Sequence, residues 1–318
     1  MSLHSIRERS VGLARRLSAA LPELLILVQA ARRILAQQAP LKRQRALVVR
    51  THGDLETQLH QIVTAQGIAD LSGRPVRHDL SALQLYERHP SYLKDVLPDA
   101  RPIDGVALTP RGMDTRPGER PFRLGRWIID RSAPIRIRRG DLGRIGEVLD
   151  RPVALCLEGE FDHSWRAFIS PTRAREIVGA LARDIEPANG ELAVVLRREP
   201  YSDSRAMFDG QDFPCAASTA GLRSVLAKAL EAGDADRVRV FSDDAAWVAR
   251  QLRALPELAA REPEIVLCAP FGAAELKRVL EHGTIVTPPD TLAEWMDLLK
   301  HPGTSLRVVP TESVPQPR

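Results

Sequence analysis

The chain has 318 residues, of which 44% are hydrophobic and 27% are charged, and this composition excludes disorder as the dominant state. Its length suits two domains rather than one. Three cysteines lie far apart and form no Cys-x-x-Cys motif, which argues against a zinc ribbon or a disulfide framework and favours a reducing cytoplasm.

The first 45 residues form a basic arm. They contain nine Lys or Arg and two acidic residues, a net charge of +7, whereas the remaining residues carry −3. Residues 3–37 mix apolar and basic side chains in a pattern that predicts a helix, which Pro22 interrupts. The longest apolar run, residues 24–28, is far shorter than the roughly 20 residues of a membrane span, and we expect no signal peptide.

Two interpretations of the arm stay open. It is either an interfacial helix whose arginines face anionic lipid headgroups, or a helix packed on the body or on a second subunit. The first interpretation implies a cytoplasmic protein that is peripheral to the inner face of the membrane. No nucleic-acid partner is expected, because the body is slightly acidic and aromatic residues make up only 4% of the chain.

Residues 46–187 predict a first α/β domain, which begins with a short buried strand and an amphipathic helix. The predicted elements are a strand at 46–49, a helix at 55–73, a strand from 75, a loop at 98–126, an apolar run at 152–157 and a helix at 171–181.

Residues 188–310 predict a second α/β domain, and residues 311–318 predict a tail. Strands are expected at 191–196, 237–241, 264–268, 284–286 and 306–309, and helices at 216–232, 244–255, 273–280 and 292–299. Their strict alternation predicts a mainly parallel sheet with helices on both faces.

Polar side chains follow several of these strands, where ligands of open parallel sheets bind. Arg197 and Arg198 follow one strand, and paired guanidinium groups suit a diphosphate. Ser242, Asp243 and Asp244 follow the next strand, and carboxylates suit a guanine ring or a ribose. The alternatives are that the arginines are surface charges and that Asp243 caps the following helix.

Several segments carry a resemblance to the α-1,2-fucosyltransferases of glycosyltransferase family 11. Residues 53–61 (Gly-Asp-Leu-Glu-Thr-Gln-Leu-His-Gln) resemble the family's early Gly-Gly-Leu-Gly-Asn-Gln segment, and residues 195–200 (Val-Leu-Arg-Arg-Glu-Pro) its His-x-Arg-Arg-Gly-Asp signature. Residues 241–248 (Phe-Ser-Asp-Asp-Ala-Ala-Trp-Val) match its Phe-Ser-Asp-Asp-x-x-Trp-Val segment throughout. Residues 289–295 resemble its late Asn-Ser-Ser segment more loosely.

The resemblance implies two Rossmann-like domains of the GT-B type with a cleft between them. It also implies an inverting, metal-independent transfer of fucose from GDP-fucose, used as a co-substrate without a further cofactor. The expected acceptor is a galactose-type hydroxyl of a glycan or a lipid-linked glycan, and the first domain is the expected acceptor side.

The resemblance also assigns roles to single residues. Arg197 and Arg198 would act on the diphosphate. The donor-binding residues would be Ser242, Asp243, Asp244, Asp290, Thr291, Thr57 and Gln58, and the candidate bases are Glu56, His60 and Glu199.

Several family positions are replaced in this chain. Val195 stands at the signature histidine, and Glu199 and Pro200 stand at its Gly-Asp. The alternative is therefore a catalytically degenerate sugar- or nucleotide-binding scaffold of a polysaccharide assembly system. Residues 158–163 (Glu-Gly-Glu-Phe-Asp-His) resemble the family's middle Gly-Tyr-Phe-Gln segment, which comes before the arginine signature. A second arginine-rich segment, residues 136–141, precedes this middle segment instead of following it. It is interpreted as a basic surface loop, with an acceptor contact as the alternative.

Overall fold

In this computed structural model, the structure describes residues 39–86, 90–100, 102–103, 113, 133–197, 237–253, 256–260, 262–269 and 271–309, with isolated positions at 29, 36, 225, 227–228 and 235. These residues form two parallel sheets of five strands each. The strands are β1 (Leu47–Arg50), β2 (Val76–Asp79), β3 (Pro102–Ile103), β4 (Ile135–Ile137), β5 (Leu155–Leu157), β6 (Ala188–Leu196), β7 (Arg237–Ser242), β8 (Glu264–Leu267), β9 (His282–Thr287) and β10 (Ser305–Val308).

The described helices pack against these sheets. They are α1 (Leu55–Ser72), α2 (Ser81–Tyr86), α3 (Leu93–Val96), α4 (Gly146–Leu149), α5 (Pro171–Val178), α6 (Ala245–Leu252), α7 (Pro256–Ala259), α8 (Ala273–Leu280) and α9 (Thr291–Leu299). Short 3-10 turns add Arg139–Arg144, Ser164–Ala167 and Gly179–Ala182.

Helix α1 has clear signals at both ends. Asp54 caps its start by accepting a hydrogen bond from the Thr57 backbone N–H at 3.0 Å. Gly73 ends it in the left-handed conformation at φ 64°, which glycine adopts without strain. Every residue from Leu55 to Ala65 is buried, so this half of α1 is enclosed on all sides.

The strand orders differ between the two sheets. The first sheet runs β3-β2-β1-β5-β4 and the second runs β10-β9-β6-β7-β8, with every described neighbouring pair parallel. In the second sheet the chain starts at the central strand β6, moves to one side through β7 and β8, and then crosses to the other side. This is the order of a doubly wound sheet, and its direction reverses between β6 and β9.

The two α/β regions share one hydrophobic cluster. Leu59 and Ile62 of α1 belong to it together with Val195 of β6, Phe241 of β7 and Trp295 of α9. The first sheet has a further cluster on each of its faces, and another covers the second sheet on the face opposite to the shared cluster. The described parts of the two α/β regions are thus joined by a continuous core, and the predicted domain limits and cleft stay predictions.

Arg74 fixes the amino-terminal edge of the first sheet. Its side chain is buried, and within the described residues its hydrogen bonds go to backbone carbonyls. The accepting residues are Arg45, Val148, Leu149, Arg151 and Val153, at 2.5–3.5 Å. This side chain therefore holds the loop before β5 against the turn before β2.

The interpretation of residues 136–141 as a basic surface loop is wrong for residues 136 and 137, whereas residues 138–140 are exposed and lead into a 3-10 turn. Ile135 and Ile137 are buried in strand β4, and Arg136 between them forms an ion pair with Glu158. Isoleucine and arginine alternate here, and alternation of apolar and polar residues predicts a strand, which the interpretation based on charge overlooked. The expected loop at 98–126 likewise contains the short strand β3, and most of its other residues lie outside the described ranges.

Other predictions fall largely or wholly on residues that the structure does not describe. These are the arm helix over residues 3–37, the helix at 216–232 and the tail after residue 310. Among the helices that are described, none has the length and apolar character needed to cross a membrane.

Candidate functional site

The carboxyl ends of β6 and β9 mark the point where the strand order of the second sheet reverses. Arg197 follows β6 directly, and Asp290 precedes α9 just beyond the end of β9. Val194 of β6 pairs with Val286 of β9, so the two strands end side by side. Open parallel sheets bind ligands beyond the strand ends at this position.

Arg197 lies between two carboxylates from different parts of the fold. Its guanidinium forms ion pairs with Glu56 in the first turn of α1 and with Asp290 Oδ2, the latter at 3.4 Å. The Arg197 side chain is 15% exposed and that of Glu56 only 2%. These three residues, which we call the Arg197 cluster, join the first α/β region to the second.

The pKa of the Arg197 guanidinium is raised above its ordinary value. Burial alone would lower this pKa, but the attraction of Glu56, then Asp290 and Asp54, outweighs the loss of water around the group. Arg197 is therefore charged at every ordinary pH. Its single positive charge faces three carboxylates. The described charged groups of this site therefore carry a net negative charge.

The turn before α1 requires glycine at position 53. Gly53 has a φ of 82°, and a Cβ built on it would lie 2.8 Å from the Thr57 side chain. Thr57 itself is buried. The Gln58 amide donates to the Gly53 and Pro90 carbonyls at 2.8 and 2.9 Å and accepts from the Tyr92 backbone at 2.9 Å. Both the nitrogen and the oxygen of the Gln58 amide are therefore used to connect the turn at Gly53 to the segment 90–92.

The segment after β7 is arranged around the start of α6. Ser242 is buried, and its hydroxyl oxygen accepts a hydrogen bond from the Asp244 N–H at 3.1 Å. Asp244 caps α6 by accepting from the Trp247 N–H at 2.7 Å. The alternative that Asp243 caps this helix is therefore wrong, because Asp244 caps α6. Asp243 is half-buried at the same strand end.

Asp290 has two distinct contacts. Its Oδ1 accepts a hydrogen bond from the Ala293 N–H at 2.9 Å and caps α9, while Oδ2 faces Arg197. Thr291 opens α9, but its side chain lies outside the described part of the chain. Arg198 and Glu199 also lie outside the described residues.

His60 lies one turn further along α1 than Glu56, in the contact between α1 and α9. Its ring centroid is 4.9 Å from that of Trp295 and 5.7 Å from that of His163. Next to it, Glu294 of α9 forms ion pairs with His163 and with Arg166, the latter at 2.8 Å. The described contacts of His60 are therefore those of a helix interface.

The first sheet has a comparable arrangement that the sequence interpretation missed. Its order reverses between β1 and β5, and there Arg50 pairs with Glu158 at 2.5 Å and with Asp79 at 3.4 Å. Arg136 of β4 also contacts Glu158, at 2.6 Å. We call these four residues the Arg50 cluster. Arg50 ends β1 and Glu158 follows β5, so the strand-end rule points to both positions, but their pairing depends on the order of the strands in the sheet.

Buried titratable groups surround the Arg50 cluster. Burial lowers the pKa of His52 to about 4 and raises that of Cys156 to about 12, so both groups are neutral near pH 7. Burial alone would lower the pKa of Arg50, but the pKa is raised, and the carboxylates of Glu158 and Asp79 contribute to this increase.

A groove of about 910 Å³ lies elsewhere, beside the carboxyl end of α1. Gln66, Arg74, His78 and Asp99 are among its lining residues, and none of the predicted site residues reaches it. Among the described residues, no group of three or more His, Cys, Asp or Glu is arranged to hold a metal ion. The metal-independent reaction stays a prediction.

Comparison with known proteins gives little further information. No protein-family model matches the chain, and no curated protein matches it. Among solved structures, the crystal structure of the fucosyltransferase NodZ from Bradyrhizobium is similar over 80% of this chain and 92% of that chain, at 14% sequence identity and a TM-score of 0.41. A likeness this distant carries no argument about the activity of this chain.

Proposed function

We propose that the chain is a glycosyltransferase that uses a nucleoside-diphosphate sugar, with GDP-fucose as the expected donor. The observation that carries this proposal is the position of Arg197 at the reversal point of a doubly wound parallel sheet, beside the start of α9. A fixed guanidinium and the backbone N–H groups of a helix start both favour a phosphate anion.

Transfer of the sugar requires a positive charge that stays in place during the reaction. When the sugar–phosphate bond breaks, negative charge grows on the leaving diphosphate, and a preorganised group stabilises it without reorganisation. Arg197 suits this role because its ion pair with Asp290, which caps α9, ties it to the start of that helix. Arg198 is proposed beside it, as the family resemblance implies.

Asp243 is the better candidate to bind the nucleoside. A carboxylate at the end of β7 can accept hydrogen bonds from a guanine ring or from ribose hydroxyls. Asp244 already caps α6, and Ser242 accepts from the backbone of the same turn. We therefore place the guanine beside Asp243 and assign the other two residues to the shape of the turn.

The acceptor is proposed to bind on the side of the first sheet. The Arg50 cluster supplies guanidinium and carboxylate groups at the reversal point of this sheet, and such groups donate to and accept from sugar hydroxyls. The acceptor class is a glycan or a lipid-linked glycan, with an α-1,2 linkage to a galactose-type hydroxyl as the expected product. Glu56, His60 and Glu199 stay the candidate bases.

One observation favours the second candidate, a degenerate nucleotide- or sugar-binding scaffold. The Arg197 guanidinium is already paired with two carboxylates, and the Gln58 amide is occupied by backbone groups. A site whose polar groups are satisfied internally can keep its fold after transfer activity is lost.

A screen of nucleotide sugars tests both candidates. GDP-fucose, other GDP-sugars and UDP-sugars are titrated by calorimetry, and release of free nucleotide is followed with and without a glycan mixture. Binding of a GDP-sugar with release of GDP supports the transferase. Binding without release supports the scaffold, and no binding of any nucleotide sugar contradicts both.

A further inference from the structure

The Glu56 carboxylate is almost fully buried, and it pairs with the guanidinium that the proposed function assigns to the diphosphate. Glu56 is not the cap of α1, because Asp54 has that role. Burying a carboxylate is costly unless a positive group pairs with it, and Arg197 is such a group.

The two carboxylates of the Arg197 cluster have different structural roles. Asp290 is held by its capping bond to Ala293, so its position is tied to the start of α9. Glu56 projects from the other α/β region. A diphosphate that binds Arg197 has to compete with both carboxylates for the same guanidinium. Displacing Glu56 leaves the cap of α9 intact, so Glu56 is the carboxylate that we expect the ligand to displace.

We propose that Glu56 is an internal competitor that occupies Arg197 in the free protein and is displaced by the diphosphate of the nucleotide. This inference rests on the proposed function. The ligand then takes over an ion pair that joins α1 to the end of β6. Nucleotide binding and the contact between the two α/β regions are thereby coupled through a single guanidinium.

The test is the affinity of the full chain for GDP and for inorganic pyrophosphate, measured by calorimetry in Glu56→Gln. Removing the competing charge should tighten both affinities by about tenfold, which corresponds to about 1.4 kcal/mol, because the ligand no longer has to displace a carboxylate from Arg197. Glu56→Asp, whose shorter side chain reaches Arg197 less well, should tighten them in the same direction and serves if Glu56→Gln does not fold.

Glu191→Gln is the matched control. Glu191 lies on the same strand as Arg197 but near its other end, where it pairs with Arg239 at 3.5 Å. This variant should bind GDP as the wild-type chain does. The gain from Glu56→Gln should also vanish in the Arg197→Ala background, because the two residues form one coupled pair.

The possible failures are distinguishable. If the wild-type chain binds GDP and both Glu56 variants bind it equally well or more weakly, the proposed role of Glu56 as a competitor is wrong. The proposed function is then unaffected. If neither the wild-type chain nor either Glu56 variant binds GDP or pyrophosphate, the proposed function is wrong and the inference is lost with it.

Discussion

At the scale of single residues, Arg197 combines structural and proposed catalytic roles. It ends the central strand of the second sheet and neutralises a buried carboxylate of α1. Sequence analysis placed Arg197 and Asp290 at neighbouring strand ends, and the structure brings these two residues together. It did not pair Glu56 with Arg197, because two residues 141 positions apart meet only through tertiary packing.

Replacing Arg197 tests its proposed role in the reaction. Arg197→Ala should lower turnover of a GDP-sugar by roughly a hundredfold or more, with a smaller loss of ground-state affinity, because its interaction strengthens as the bond breaks. Arg197→Lys keeps the charge but loses the planar fork and should not rescue turnover. Steady-state kinetics with the donor, after circular dichroism has confirmed folding, give the measurement.

Arg138→Ala is the control for this prediction. Arg138 is exposed at the start of the 3-10 turn Arg139–Arg144, and its backbone N–H bonds to Asp141 at 2.9 Å. Turnover should be almost unchanged. If Arg138→Ala abolished turnover and Arg197→Ala did not, the assignment of the arginine pair would be wrong.

Buried histidines predict how stability depends on pH. Burial lowers the pKa of His52 and of His78 to about 4, against an ordinary value of about 6.5. The unfolded chain therefore binds more protons between these values, so the stability is fully present above pH 6.5 and declines as the pH falls towards 4. Each histidine contributes at most about 1.4 kcal/mol per pH unit to this slope.

Urea unfolding at a series of pH values measures this slope. His78→Phe should reduce it, whereas the exposed His301→Phe should not. A stability that stays constant between pH 6.5 and 4.5 in the wild-type chain would contradict the burial of neutral histidines.

At the scale of secondary structure, the sequence predicts the second α/β region closely. The helix at 273–280 is confirmed at both ends, and the described strands differ from the expected ones by a few residues. Strand β6 begins at Ala188 instead of Glu191, and its register with β9 shifts between Ala188 and Leu192. Such an irregularity depends on the neighbouring strand and leaves no periodic signal in β6 itself.

Helix α1 contains a close approach that predicts a sensitive glycine. A Cβ on Gly67 would lie 2.9 Å from the Phe168 Cβ and 3.2 Å from that of Ile169. Gly67→Ala should therefore lower the free energy of unfolding by about 1–3 kcal/mol, since the backbone must shift to relieve the overlap. Chemical denaturation gives this value directly.

Gly179→Ala is the matched substitution. A Cβ at Gly179 would meet no atom within 4 Å, and its backbone is right-handed helical at φ −60°. This variant should be as stable as the wild-type chain or more stable by up to about 1 kcal/mol. If the two variants were equally stable, the packing of α1 against residues 168–169 would be wrong.

At the scale of the whole molecule, the two α/β regions share a core that the sequence did not reveal. The amphipathic pattern of α1 predicts one buried face, yet residues 55–65 are buried on all sides because α1 also contacts α9 of the second region. Whether a polar side chain such as Gln61 or His60 is buried depends on which elements surround the helix. Local periodicity therefore predicted the elements of this fold better than their assembly.

The basic arm predicts salt-sensitive attachment to anionic membranes. Each Lys or Arg near such a surface contributes about 1 kcal/mol, and residues 1–45 carry a net charge of +7. The full chain should sediment with phosphatidylserine-containing vesicles at low salt and be released at high salt, whereas a chain without residues 1–45 should stay in solution. Attachment that survives high salt and requires detergent would contradict this prediction.

The measurement that tests the central claim most directly is the thermal unfolding of the full chain with GDP and with UDP. A guanine-nucleotide site at the Arg197 cluster predicts that GDP at a hundredfold excess over its Kd stabilises the fold by about 2.7 kcal/mol. UDP should give no comparable stabilisation, and Arg197→Ala should reduce the effect of GDP. Equal stabilisation by both nucleotides would contradict the guanine assignment, and stabilisation by neither would contradict a nucleotide-sugar site in this protein.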